Sequence, residues 1–124
     1  MASRVKEAHI QRSIVSFLGP LRDAGCLNFY VNIEGSRRDA RQQAALKRDG
    51  VRPGRADMHV LLPGGCSLLI ELKRKPDGRL SDYQKSEIEF NNQLGHRTVV
   101  LWANDEMDGV NQVKQLLEER GVST

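Results

Sequence analysis

Aromatic residues are scarce: one Trp, two Tyr and three Phe make up 5% of 124 residues. None falls between positions 36 and 55, the most basic part of the chain. That disfavours a stacking platform for single-stranded nucleic acid. Cysteine is scarcer still. Cys26 and Cys66 stand alone, with no metal-type spacing and no partner set for a disulfide framework. The expectation is two reduced thiols in a cytosolic protein. No stretch approaches the ~20 apolar residues of a membrane span. The early positions carry Glu7 and His9 and lack the apolar core of a signal peptide, so a cytoplasmic location is expected. Repeats and low-complexity tracts are absent, and His9, His59 and His96 show no ligand spacing.

What remains is ordinary for a soluble α/β domain: 39% apolar and 28% charged residues. The length suits one domain over positions 1–124 with its own core. A net charge of +3 permits a polyanionic partner without requiring one.

The informative stretch runs from Gly54-Arg55-Ala56-Asp57 to Ile70-Glu71-Leu72-Lys73. Alternation places Met58, Val60 and Leu62 on one face of a strand and Asp57, His59 and Leu61 on the other. Pro63-Gly64-Gly65 then turns the chain into a second strand, about 66 to 73, making a hairpin. Leu68, Ile70 and Leu72 share one face of it; Leu69, Glu71 and Lys73 share the other. If Leu62 pairs with Cys66, Asp57 lies opposite Glu71, with Lys73 a diagonal step away; a bulge at the glycines would shift that register. Leu68-Leu69-Ile70 is apolar on both faces, as in a central strand. Two like charges about 4 Å apart repel by about 4 kcal/mol at an effective dielectric of about 20. Lys73 offsets part of this and a divalent cation offsets more. Oxygen ligands favour Mg²⁺ or Mn²⁺. On these residues alone, a strand end with a cross-strand salt bridge explains the pattern equally well.

The surrounding elements follow from periodicity. Ile10, Ile14, Phe17 and Leu18 mark a helix over 5–18, stopped by Gly19-Pro20. Glu7 lies in line with Gln11, Ile14 and Leu18, although a first-turn glutamate suits the helix dipole without any further role. Phe29, Val31 and Ile33 alternate with Tyr30 and Asn32 in a strand over 27–33, and Glu34 reads as its polar end. Residues 36–55 carry Arg37, Arg38, Arg41, Lys47, Arg48, Arg52 and Arg55, with a short helix over about 38–48. Such a run is commonly a solvated face; beside a phosphodiesterase site it suits phosphate contacts. Arg74 and Lys75 extend the basic surface into the next turn. Ser81-x-x-Gln84 is a capping box opening a helix to about Leu94, and 97–103 reads as a buried strand. Strand, helix and strand form a right-handed unit, so 97–103 should run parallel to 66–73. A helix over 108–119 closes the chain, with Asp105, Glu106 and Asp108 ahead of it. The sum is an α/β sandwich with a mixed sheet.

Asp57, a hairpin, then Glu71-Leu72-Lys73 resembles the PD-(D/E)xK nuclease signature. The wider string Gly-Val-Arg-Pro-Gly-Arg-Ala-Asp, Ile-Glu-Leu-Lys-Arg and Gly-Arg-Leu-Ser-x-x-Gln resembles the VRR-NUC branch, the virus-type replication-repair nucleases, from Glu7 to about Trp102. The family's usual Pro-Asp is Ala56-Asp57 here. The resemblance implies an αβββαβ core and a Mg²⁺- or Mn²⁺-dependent DNA endonuclease leaving 5′-phosphate and 3′-hydroxyl ends. It implies Asp57, Glu71 and the main-chain carbonyl of Leu72 as metal ligands, with Glu7 on the first helix assisting. Lys73 would position or deprotonate the attacking water, and Gln84 would lie close to the metal. It also implies homodimers of the stand-alone phage and bacterial type, acting in DNA repair on four-way (Holliday) junctions. A non-catalytic DNA-binding module of the same fold, or a nuclease for flap or duplex DNA, are the alternatives.

Overall fold

The computed structural model describes residues 6–32, 40–50 and 55–124. Glu34, Arg37, Arg38 and Arg52 lie outside the described residues. The first helix, α1 (Glu7–Asp23), leads to β1 (Asn28–Val31) and the basic α2 (Ala40–Arg48). The hairpin follows as β2 (Met58–Leu62) and β3 (Cys66–Arg74), then α3 (Asp82–Gln93), β4 (Arg97–Ala103) and α4 (Glu106–Glu119).

The sheet has the order β1-β2-β3-β4. The first two pairings are antiparallel and β3 runs parallel to β4, so the sheet is mixed, as expected from the strand–helix–strand spacing. β3 is internal, which accounts for its apolar character on both faces. The hairpin register is Leu62↔Cys66 through Met58↔Ile70, with no bulge. Pro63–Gly65 forms a single tight turn in which Gly64 and Gly65 take φ of 80° and 76°, values that L-side chains rarely adopt.

One face of the sheet holds the core. Met58, Val60, Leu68, Ile70, Leu72 and Leu101 are buried against Ile10, Ile14 and Leu18 of α1 and Val113 and Leu117 of α4. The opposite face carries Glu71 and meets α3 through Gln84, giving three layers.

Two boundaries differ from the periodicity. The first helix does not stop at Gly19-Pro20 but runs one turn further, to Asp23. Pro20 forgoes one backbone bond. The last turn is nevertheless anchored to β1: the Arg22 guanidinium stacks 3.9 Å from the Phe29 ring and donates to the Phe29 carbonyl. Gly25, at φ 77°, then closes the helix as the Cys26 N–H reaches the Leu21 carbonyl at 2.9 Å. The last helix starts at Glu106, with Asp105 accepting the Asp108 N–H at 2.8 Å. Glu106 and Asp108 are thus first-turn residues, and Asp105 alone is the cap.

Candidate active site

Continuing the hairpin register one step past Met58↔Ile70 sets Asp57 against Glu71. The Asp57 carboxylate (Oδ2) accepts the Leu72 N–H at 2.7 Å, which ties the residue before β2 to the end of β3. Glu71 is 1% exposed and Lys73 9% exposed. Their side chains, two residues apart on one strand face, bring Nζ to 3.7 Å from Glu71 Oε1. The same Oε1 accepts the Gln84 Nε2–H at 2.8 Å. The structure therefore brings Asp57, Glu71, Lys73 and Gln84 together.

Gln84 has two tasks at once. Its Oε1 accepts the Ser81 N–H at 2.8 Å, and the Ser81 hydroxyl oxygen accepts the Gln84 N–H at 3.1 Å. This reciprocal cap opens α3 and also fixes the amide, with the NH₂ turned toward Glu71.

Glu7 sits in the first turn of α1 and accepts the Arg74 N–H at 3.3 Å through Oε2. Its charge reaches both Asp57 and Glu71. Burial pushes the Glu71 carboxyl up to about 8; the neighbouring Asp57 adds to this and Lys73 opposes it. Burial also raises Asp57, against the lowering effects of the Leu72 N–H and Lys73. Two carboxyls raised by burial, and each further by the Glu7 charge, form a site short of positive charge.

That shortage has a specific atom. Glu71 Oε2 is buried with no hydrogen-bond partner, an arrangement that costs about 1–3 kcal/mol or more for a charged group. A divalent cation would satisfy it and favour the ionised form of both acids. Among the described residues, no three Asp, Glu, His or Cys side chains are grouped closely enough to hold an ion by themselves. The donor set is therefore two carboxylates, supplemented by main-chain oxygen and water. That is the habit of Mg²⁺, which is bound through one or two carboxylates and keeps several waters. The residues present fit such an ion.

The basic residues divide. Arg41, Lys47 and Arg48 on α2, together with Arg55 and Lys75, are exposed. Arg55 donates to Asn32 Oδ1 at 2.9 Å. The Arg74 guanidinium is held by Asp77, at 3.1 and 3.0 Å, so it braces the turn after β3. Sequence reasoning did not reach this pairing, although Arg74 and Asp77 stand three apart in a turn. It also missed Gly78, which donates to the Arg74 carbonyl at 2.7 Å and packs on the strand end that carries Lys73.

Acid, hairpin, acid and amine thus stand together on a mixed sheet between helices, in an α/β domain. No family model matches the sequence, and no curated protein matches it. Solved structures do. One described as a "VRR_NUC domain protein" superposes with a TM-score of 0.71 at 21% identity, covering 94% of this chain and 92% of that one. A second, a "VRR_NUC domain", gives 0.57 at 19% identity over 92% of this chain and 96% of that one. The chain thus has the fold of VRR_NUC domains along nearly its whole length, as the sequence resemblance led one to expect.

Proposed function

We propose that this protein is a metal-dependent DNA endonuclease. The buried, partnerless Oε2 of Glu71 beside Asp57 is the observation that supports it best. The large majority of buried side-chain oxygens are hydrogen-bonded, so an unsatisfied carboxylate oxygen beside a second acid calls for a cation more than for a structural salt bridge. Asp57, Glu71 and the Leu72 carbonyl would hold Mg²⁺ or Mn²⁺, with Glu7 contributing charge from α1. When bound, the cation supplies Lewis-acid polarisation of a phosphoryl oxygen and a lowered pKa for water.

The chain's own groups do the rest. Lys73, held beside Glu71, orients the attacking water and stabilises negative charge developing on the phosphate. Water adds to phosphorus, the P–O3′ bond breaks, and the 3′ oxygen takes up a proton. Gln84 keeps Glu71 in the orientation that faces the reaction. Exposed Arg41, Lys47 and Arg48, with Arg37, Arg38 and Arg52 nearby in sequence, supply backbone contacts to duplex arms.

The VRR-NUC resemblance extends this reading to branched DNA, four-way junctions in particular, and to a homodimer whose two sites nick opposing strands. A cleavage panel of duplex, flap, fork and four-way junction DNA, with Mg²⁺, Mn²⁺ or EDTA, tests it. Cation-dependent cutting of branched substrates is expected. Binding of DNA without cutting in either metal would overturn the enzyme and leave a binding module.

A further inference from the structure

On the sheet face that carries Glu71, the α3 side, lies an open cleft of about 440 Å³. That is within the range of about 300–1,000 Å³ typical of small-ligand pockets. Its floor is a row across three strands: Tyr30 pairs with His59, and His59 pairs with Leu69. Asn91 of α3, His96 and Arg55 also line it. Asp57 and Glu71 form the next row on the same face, two residues along. At about 3.3–3.4 Å per residue, the two rows are about 7 Å apart.

We propose that this cleft is a one-base slot, receiving a single unpaired nucleobase of the strand whose phosphate lies at Asp57 and Glu71. The inference rests on the nuclease reading for the identity of its strand. The lining carries groups that suit a base: an aromatic ring, an apolar floor and an amide. Tyr30 is 58% exposed, and its hydroxyl accepts from Asn28 Nδ2 at 3.2 Å, which steadies an open ring. Leu69 gives an apolar floor. The Asn91 amide offers donors and an acceptor of the kind that read a base edge. The His59 imidazole lies between Tyr30 and Leu69 on this floor and adds a flat ring to it.

A single aromatic holds one base and no more, so the slot does not make the protein a single-strand binder. It selects DNA in which one nucleotide beside the scissile phosphate is already unpaired, as at a branch point. Extruding a base from intact duplex costs a few kcal/mol, and a branch removes that cost. The slot thereby gives structure selectivity.

The test uses the cleavage-deficient Asp57→Asn chain and junction DNA with 2-aminopurine placed in turn at each nucleotide beside the cut site. One position should change its fluorescence on binding. Removing that base should weaken binding about 5- to 100-fold in Asp57→Asn, but less than about 2-fold when Tyr30→Ala is added. Tyr30→Phe, which keeps the ring, should restore the dependence. Tight binding with no responsive position, or an equal abasic penalty with and without the Tyr30 ring, would overturn the slot and leave the nuclease standing. Failure of Asp57→Asn to bind any DNA, with no cutting by the unaltered protein, would remove both.

Discussion

The Asp57 carboxylate takes the Leu72 N–H at 2.7 Å, between Glu71 and Lys73 of β3. The loop carrying the first acid is thereby fastened to the strand carrying the second acid and the amine. Asparagine at position 57 can keep this bond through its carbonyl oxygen while losing the charge. Asp57→Asn should therefore fold with a melting midpoint no lower than that of the unaltered protein and bind branched DNA as before. Its cleavage rate should fall by at least about a hundredfold, since a metal-ion contribution of several kcal/mol is lost. Undiminished cutting would remove Asp57 from the site.

Glu71 makes stability depend on pH in an unusual direction. Its carboxyl titrates at about 8 in the fold, pushed up first by burial and then by Asp57, against a reference of 4.5. The folded state then binds more protons than the unfolded state between those values. This contribution is fully present below the unfolded value and is lost as pH rises through the folded one. In EDTA, stability should fall between about pH 5 and pH 8, by about 3–4 kcal/mol. Mg²⁺ or Mn²⁺ should reverse the loss, and Glu71→Gln should flatten the profile. Denaturant melts across that range provide the measurement, and a metal-independent flat profile in the unaltered protein would count against the carboxylate pair as a cation site.

The hairpin was legible in the sequence because period-two alternation and a Pro-Gly-Gly turn leave little choice of register. Once Leu62 met Cys66, the Asp57–Glu71 juxtaposition followed. The helix end at Asp23 was not legible. Pro20 is a strong local stop, and what overrides it is a contact between Arg22 and Phe29 that depends on β1 folding back. The cleft was hidden for a similar reason. Tyr30, His59 and Leu69 are far apart in sequence, and only the antiparallel pairings place them in one row.

Ser81 and Gln84 allow the structural and chemical roles of one motif to be separated. Ser81→Ala removes the hydroxyl that accepts the Gln84 N–H, but leaves the Ser81 N–H that holds the Gln84 carbonyl. It should cost about 1 kcal/mol of stability and little activity. Gln84→Ala leaves the backbone N–H bonded to the Ser81 hydroxyl but removes the side-chain half of the cap and also the bond to Glu71, so turnover should drop by about 10- to 100-fold as well. Equal kinetic losses in the two variants would mean that Gln84 acts only as a cap.

The basic helix α2 is predicted to read phosphates, not bases. Neutralising its exposed Arg41, Lys47 and Arg48 together should weaken binding of all DNA forms alike. The slope of log K against log salt should flatten by about 0.9 for each phosphate that is no longer neutralised, up to about 3. Titrations at several salt concentrations measure it directly. An unchanged slope would place the DNA on another surface.

Gly78 tests whether the site depends on a residue with no chemistry of its own. A Cβ at this position would lie 2.5 Å from the Arg74 carbonyl oxygen, 2.9 Å from the Arg74 nitrogen and 3.1 Å from the Lys73 Cβ. Backbone atoms cannot rotate away, so the turn or the strand end must shift. Overpacking of this kind costs about 1–3 kcal/mol. The displaced atoms belong to Lys73 and to Arg74, whose N–H holds Glu7. Misplacement of a catalytic group by about 1 Å can cost about a hundredfold in rate. Gly78→Ala should therefore lower kcat by at least about tenfold at temperatures well below its melting midpoint, with DNA affinity little changed. A variant that melts earlier yet turns over normally would show that the turn yields and β3 does not, and that Lys73 is positioned from within the strand alone.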